Sequence, residues 1–185
     1  MAASVARCVA TGVAGLSIED NTGRKDVPLY EKGAAVERVR AARSAIDAST
    51  IPVLLTGRCE AWLVGTPDPL SVALDRLVAY AEAGADCLYA PGVTKIEEIE
   101  TIVKALAPKP VNVLVSSPSK ELTVARLSDL GVRRISVGSA LARVAWGAFI
   151  RSAREIAETG TFNSLADAVP FAEINEVFNQ RRGRN

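Results

Sequence analysis

Ala81-Glu82-Ala83-Gly84-Ala85-Asp86-Cys87-Leu88-Tyr89-Ala90-Pro91-Gly92 decides the fold of this chain. The stretch opens at the end of a helical pattern in which Leu70, Ala73, Leu74, Leu77, Val78 and Ala81 recur at helical spacing,. Gly84 stands where a helix C-terminal cap belongs, and the apolar run Cys87–Tyr89 follows at once,. Helix, glycine and buried strand in that order form the αβ half of a parallel-sheet unit. The same signature repeats outward. Gly131 precedes Arg134–Val137, and Ile96, Ile99, Ile102, Val103 and Leu106 make a second amphipathic stripe. Further strands are expected at Gly15–Ile18, Pro52–Thr56 and Val111–Val115. The class is α/β.

The spacing of the runs narrows the architecture. Ile18, Leu55, Leu88, Val113 and Ser136 lie 37, 33, 25 and 23 residues apart, while a (β/α)8 barrel averages about 31 per unit. Five such units fit an open five-stranded sheet, or a barrel whose first third is absent, since Ala2–Thr11 reads as a helix with no strand before it. Toward the C-terminus, Ser139–Thr159 is expected to be one long helix ending at Gly160. A second is expected over Leu165–Phe178 with Pro170 near its middle, followed by a basic, frayed tail at Gln180–Asn185. Phe171, Ile174, Val177 and Phe178 form an apolar stripe that packs on its own domain or on a partner subunit.

Composition removes several functions. Among 185 residues, 22 Lys and Arg balance 21 Asp and Glu, for a net charge of +1, which argues against a nucleic-acid or anionic-membrane surface. No apolar run reaches membrane-span length, and the N-terminus lacks a secretory layout, so a cytoplasmic protein is expected. Cys8, Cys59 and Cys87 offer no CxxC pair, and there is no histidine. Imidazole bases and histidine metal sites are thereby excluded. Chemistry falls to carboxylates, Lys, Tyr, Cys or Ser.

Ligands of parallel α/β folds bind at the carboxyl ends of the strands. There the first run ends in Glu19-Asp20-Asn21 and the second in Thr56-Gly57-Arg58-Cys59-Glu60. Adjacent carboxylates point to opposite sides of a strand, so Glu19 is assigned to the site and Asp20 to capping the turn that starts Asn21-Thr22-Gly23. Arg58 offers a planar fork for a carboxylate or phosphate, or a salt bridge to Glu60 or Glu19. Cys59 is expected to be a buried filler. Tyr89-Ala90-Pro91-Gly92 reads as a turn before a site. Asn112 could face a barrel interior. Gly138-Ser139 opens the long helix, where an anion or an ordinary N-cap is expected.

These motifs, Gly15–Asp20, Thr56–Ala61, Ala81–Gly92, Pro110–Leu114 and Leu130–Gly138, resemble the isocitrate lyase/phosphoenolpyruvate mutase superfamily from about residue 4 to residue 178. The similarity is greatest to carboxyphosphonoenolpyruvate mutase-like and methylisocitrate lyase-like members. The resemblance implies a partial (β/α)8 barrel corresponding to about strands 4–8 with C-terminal helices, the first three strands being absent. It places the barrel portion at 1–160 and a C-terminal helix and tail, exchanged between subunits of a homo-oligomer, at 161–185. It implies a Mg²⁺-dependent lyase or mutase that acts through an enolate on C–C or P–C bonds of small 2-oxo acids. By the same match, Glu19 meets the metal through water, Arg58 binds the substrate, and Asn112 and Gly138 line its site. Asn21–Glu31 takes the place of a gating loop. It lacks the lyase Cys and His, and with the strands carrying the main Asp ligands missing, a weakly active or inactive chain is expected. The alternatives are a non-catalytic remnant that oligomerises, or an unrelated phosphate-binding α/β protein.

Overall fold

A computed structural model describes residues 1–182. The chain divides into two compact units, Met1–Gly138 and Ser139–Asn185, whereas the resemblance keeps residues up to 160 with the barrel portion.

The first unit alternates helix and strand throughout. Helix α1 (Ala2–Val9) leads into β1 (Gly15–Glu19), α2 (Lys32–Asp47) and β2 (Leu54–Arg58). Then follow α3 (Pro69–Glu82), β3 (Cys87–Tyr89), α4 (Ile96–Leu106), β4 (Val111–Leu114), α5 (Val124–Asp129) and β5 (Arg134–Ser136). All four strand pairings are parallel, and the sheet order is β1-β2-β3-β4-β5. That order never reverses. A doubly wound sheet needs a reversal to place helices on both faces, whereas a barrel wall does not. Side chains alternate accordingly. Leu16, Ile18, Leu55, Leu88, Val111 and Val113 join the core with Val39, Leu77, Ile99 and Ile102 of the helices. On the opposite, open face, Gly15, Ser17, Glu19 and Leu54 are exposed.

The strand expectations hold with shifted ends. β2 starts at Leu54 rather than Pro52 and continues through Arg58, because a proline cannot donate to the ladder,. Helix α3 is started by Asp68, whose side chain accepts from Ser71 N at 3.2 Å, with Pro69 in its first turn,. Its end shows why residue 84 must be glycine: φ is +102°, and a Cβ there would lie 2.6 Å from Arg43 Cγ,. Gly84→Ala is expected to cost about 1–3 kcal/mol, read as a lower urea midpoint at unchanged slope. An unchanged midpoint would contradict this backbone geometry.

The second unit holds α6 (Ala140–Thr159), a 3₁₀ turn at Asn163–Asp167 and α7 (Phe171–Arg182). The helix expected over Leu165–Phe178 is thus two elements. Pro170 cannot occupy a helix interior, so it precedes α7 instead of kinking one longer helix. Helix α7 continues to Arg182 where fraying is expected from Gln180, and Gly183–Asn185 of that tail lie outside the described residues. Gly160, left-handed at φ +67°, ends α6 as expected. Just beyond it the Glu155 carboxylate accepts from Thr161 Oγ1 at 2.6 Å, Asn163 N at 2.8 Å and Ser164 N at 2.9 Å. Hydrogen bonds from Ser164 and Thr161, then Asn163, pull the Glu155 pKa from 4.5 down to about 2. A depressed carboxylate stabilises the fold above its unfolded pKa, and that stabilisation is lost as pH falls from 4.5 through 2. A ¹³C carboxyl titration is expected to show a Glu155 midpoint near 2; a midpoint at the ordinary value would mean these bonds do not form.

Candidate active site

Parallel pairing brings the ends of β1 and β2 together on the open face, with Glu19 the register partner of Arg58. The two residues assigned to the site therefore share one rim and one side of the sheet. Arg58 Nε lies 3.3 Å from Glu19 Oε2 and donates to Glu60 Oε1. The pairs are unequal: the Glu60 side chain is 4% exposed and that of Glu19 is 48% exposed. Glu60 is thus committed to holding the guanidinium, while Glu19 keeps half its carboxylate for solvent or a ligand. Both contacts use Nε, so the terminal Nη edge of the fork is the part that can meet an oxygen pair. Burial works against the cation, but the Glu60 hydrogen bond and charge, with Glu19 and Tyr89, raise the Arg58 pKa. Arg58 stays charged at every physiological pH.

Tyr89, in register with Arg58 on one side and Asn112 on the other, lies beneath that guanidinium with its ring centroid 5.2 Å from Cζ,. Asn112, assigned to substrate, is buried within β4 and donates from Nδ2 to Ser136 Oγ at 3.0 Å. Its Oδ1 is a buried acceptor without a hydrogen-bond partner among the described residues. Gly138 has φ +54° beyond β5, and a Cβ there would sit 3.4 Å from Leu114 Cδ1. The structure thus joins Glu19 directly to Arg58, sets Asn112 two strands from Arg58, and leaves Gly138 as a backbone position.

Asp20 is the main correction. The turn it is expected to cap is closed by Asn21, whose Oδ1 accepts from Gly23 N at 2.7 Å. Asp20 points the other way and is 1% exposed. Its Oδ1 accepts from Glu60 N at 2.8 Å, and its Oδ2 accepts from Tyr80 Oη at 2.7 Å and Arg76 Nη1 at 3.2 Å. Arg76 Nη2 also donates to Tyr30 O at 2.9 Å. One buried carboxylate therefore ties Glu60, two residues after Arg58, to helix α3 and, through Arg76, to the end of the loop that follows β1. Sequence reasoning missed Arg76 and Tyr80, and undervalued Tyr89. For Tyr89 a signal existed, since Cys87 and Tyr89 alternate onto the open face.

Cys59 is fully buried, and burial with the Asp20 charge pushes its thiol up to about 12, so it is a filler rather than a nucleophile. Burial likewise raises Cys87, against the pull of Arg134.

No three His, Cys, Asp or Glu side chains converge on one point among the described residues. Glu60 is spent on Arg58 and Asp20 on three donors, which leaves Glu19 as a single half-exposed carboxylate. Divalent magnesium asks for near-octahedral oxygen ligation, and these donors do not fit it on their own.

A parallel sheet wound in one direction, with arginine and carboxylate at its carboxyl rim, is the layout of barrel enzymes that bind small anions. The comparisons give the family. The model of phosphoenolpyruvate phosphomutase matches residues 1–157, and this chain belongs to the isocitrate lyase/phosphoenolpyruvate mutase superfamily. It is 33% identical over 133 residues to an oxaloacetate decarboxylase of Pseudomonas fluorescens, covering 69% of this chain and 43% of that protein. It is 34% identical over 103 residues to the 2-methylisocitrate lyase of Escherichia coli, covering 52% and 33%. A crystal structure of a putative lyase/mutase from Burkholderia cenocepacia superposes with a TM-score of 0.89 at 46% identity, over 96% of this chain and 63% of that one. The chain spans 57% or less of the length of the curated relatives it matches. Membership of this family displaces the reading as an unrelated phosphate-binding protein. No helix among the described residues is long and apolar enough to cross a membrane.

Proposed function

We propose that this chain forms the arginine-bearing side of an active site that makes or breaks a C–C or P–C bond beside the carboxylate of a small 2-oxo acid, through an enolate. The observation that carries this reading is the Glu19–Arg58–Glu60 arrangement on one rim, with no hydrogen bond to the Nη edge of Arg58 among the described residues. Arg58 binds the substrate carboxylate or phosphonate in a bidentate pair. Glu60 orients the guanidinium. Glu19 supplies a nearby negative charge that disfavours a second anion on its own side and so fixes the direction of approach. Asn112 and Ser136 form a polar floor, and Gly138 contributes backbone only.

On this reading the five strands correspond to about strands 4–8 of a (β/α)8 barrel, and the protein works in the cytoplasm, where its free thiols stay reduced. A thermal-shift screen of the chain with oxaloacetate, pyruvate, phosphonopyruvate and oxalate tests it. A Tm rise with at least one 2-oxo acid, and none with acetamide, is expected. Unmoved Tm with all four removes the reading.

We also propose that residues 161–185 mediate self-association, the exposed Phe171, Ile174, Val177 and Phe178 packing on a second copy. The same surface would serve a non-catalytic, oligomerising chain. Light scattering is expected to give a dimer or larger species that Phe171→Asp with Phe178→Asp dissociates; a monomeric parent chain would end this part.

A further inference from the structure

We infer that Tyr89 is a second ligand-recognition residue, its ring positioning the Arg58 guanidinium and its hydroxyl donating to the oxygen next to the carboxylate that Arg58 holds. The inference rests on the proposed role of Arg58. Three observations carry it. Tyr89 is the in-register neighbour of Arg58 on β3 and ends that strand on the same open face. Its ring lies 5.2 Å from Arg58 Cζ, close enough for a cation–π contact that limits rotation of the fork. Its side chain is half-buried, and no hydrogen bond among those of the described residues engages its hydroxyl. The other phenol beside this site, Tyr80, is by contrast spent on Asp20.

On this inference the phenol O–H joins the guanidinium, whose Cζ lies 5.2 Å from the ring centroid, in a three-donor edge. Two donors come from the fork and one from the phenol. Such an edge fits two adjacent anionic oxygen groups rather than one: a carboxylate with a 2-oxo or enolate oxygen beside it, the chemistry of a 2-oxo acid. A simple monocarboxylate fills only the arginine part. In a chain without histidine, Tyr89 can also donate a hydrogen bond on this rim without giving up a structural partner.

The probes are oxalate, which carries adjacent oxygen pairs, and acetate, which carries one. Binding to the full chain is followed by NMR through the Arg58 Nε–Hε signal. Tyr89→Phe is expected to weaken oxalate about tenfold, the loss of one hydrogen bond to a charged group, and acetate less than twofold, with the free Arg58 signal unmoved. Tyr89→Leu is expected to shift that signal in the ligand-free protein and to weaken both ligands. Oxalate affinity within twofold of the parent in Tyr89→Phe overturns the hydroxyl role, and an unmoved Arg58 signal in Tyr89→Leu overturns the positioning role. Failure of the underlying reading looks different. Oxalate binding that survives Arg58→Ala, or no shift of the parent signal with oxalate, removes Arg58 as the anion site and Tyr89 with it.

Discussion

If Arg58 holds the substrate anion as proposed, Arg58→Ala is expected to cut oxo-acid affinity sharply, and turnover with it, in any assembly that contains this site. The expected loss is about 2–5 kcal/mol of binding free energy, the range for truncating one partner of a desolvated charge pair. That corresponds to roughly 30- to several-thousand-fold in Kd. The substitution also strands Glu60, whose side chain is 4% exposed and faces Arg58, so some stability goes as well. Arg58→Lys separates the two effects. A lysine keeps a charge for Glu60 but has no planar fork, so it is expected to restore most of the Tm while affinity stays down at least tenfold. Calorimetric titration with the 2-oxo acid that gives the largest thermal shift reads both variants. Parent-like affinity in Arg58→Ala would take Arg58 out of the site.

Asp20→Ala is the largest expected stability loss, about 3–5 kcal/mol, as for breaking a buried ion pair from one side. It leaves the Arg76 cation, the Tyr80 hydroxyl and the Glu60 amide without their acceptor. Each buried group left unsatisfied adds to the cost. Chemical denaturation is the measurement, with Glu19→Ala as the comparison. Glu19 is half exposed and its partner Arg58 retains Glu60, so its removal is expected to cost no more than about 1 kcal/mol. Similar losses for the two variants would mean that Asp20 does not organise the interior.

The contrast between these neighbours shows what the sequence made legible. Period-two alternation separates Glu19 from Asp20, and strand-end position makes both candidates; these are local facts. The direction each one takes is not local. Asp20 is claimed by Arg76 and Tyr80, 56 and 60 residues away, on a helix whose apolar stripe gives no hint of its polar reach. The five parallel strands are readable for the opposite reason: each helix–glycine–strand unit is specified within about thirty residues. Arg134, which reaches Thr56 Oγ1 at 3.2 Å across 78 residues, was as hidden as Arg76. Pro170 is visible, yet the periodicity of Phe171, Ile174, Val177 and Phe178 extends a helix across it, whereas the missing proline amide confines α7 to the residues that follow,. The magnesium expectation came from resemblance, and the donors described do not support it by themselves.

The segment after β1 leaves and returns through adjacent anchors: Asn21 bridges Leu29, and Tyr30 N donates to Asp20 O at 2.8 Å. Both doorposts are thereby fixed to the wall, so any swing is restricted to the span between them. Amides of Glu60 and Tyr30 should exchange slowly with deuterated solvent, while the amide of the exposed Lys25 washes out early,. An engineer could then transplant foreign residues into that short span and leave the hinge hardware untouched.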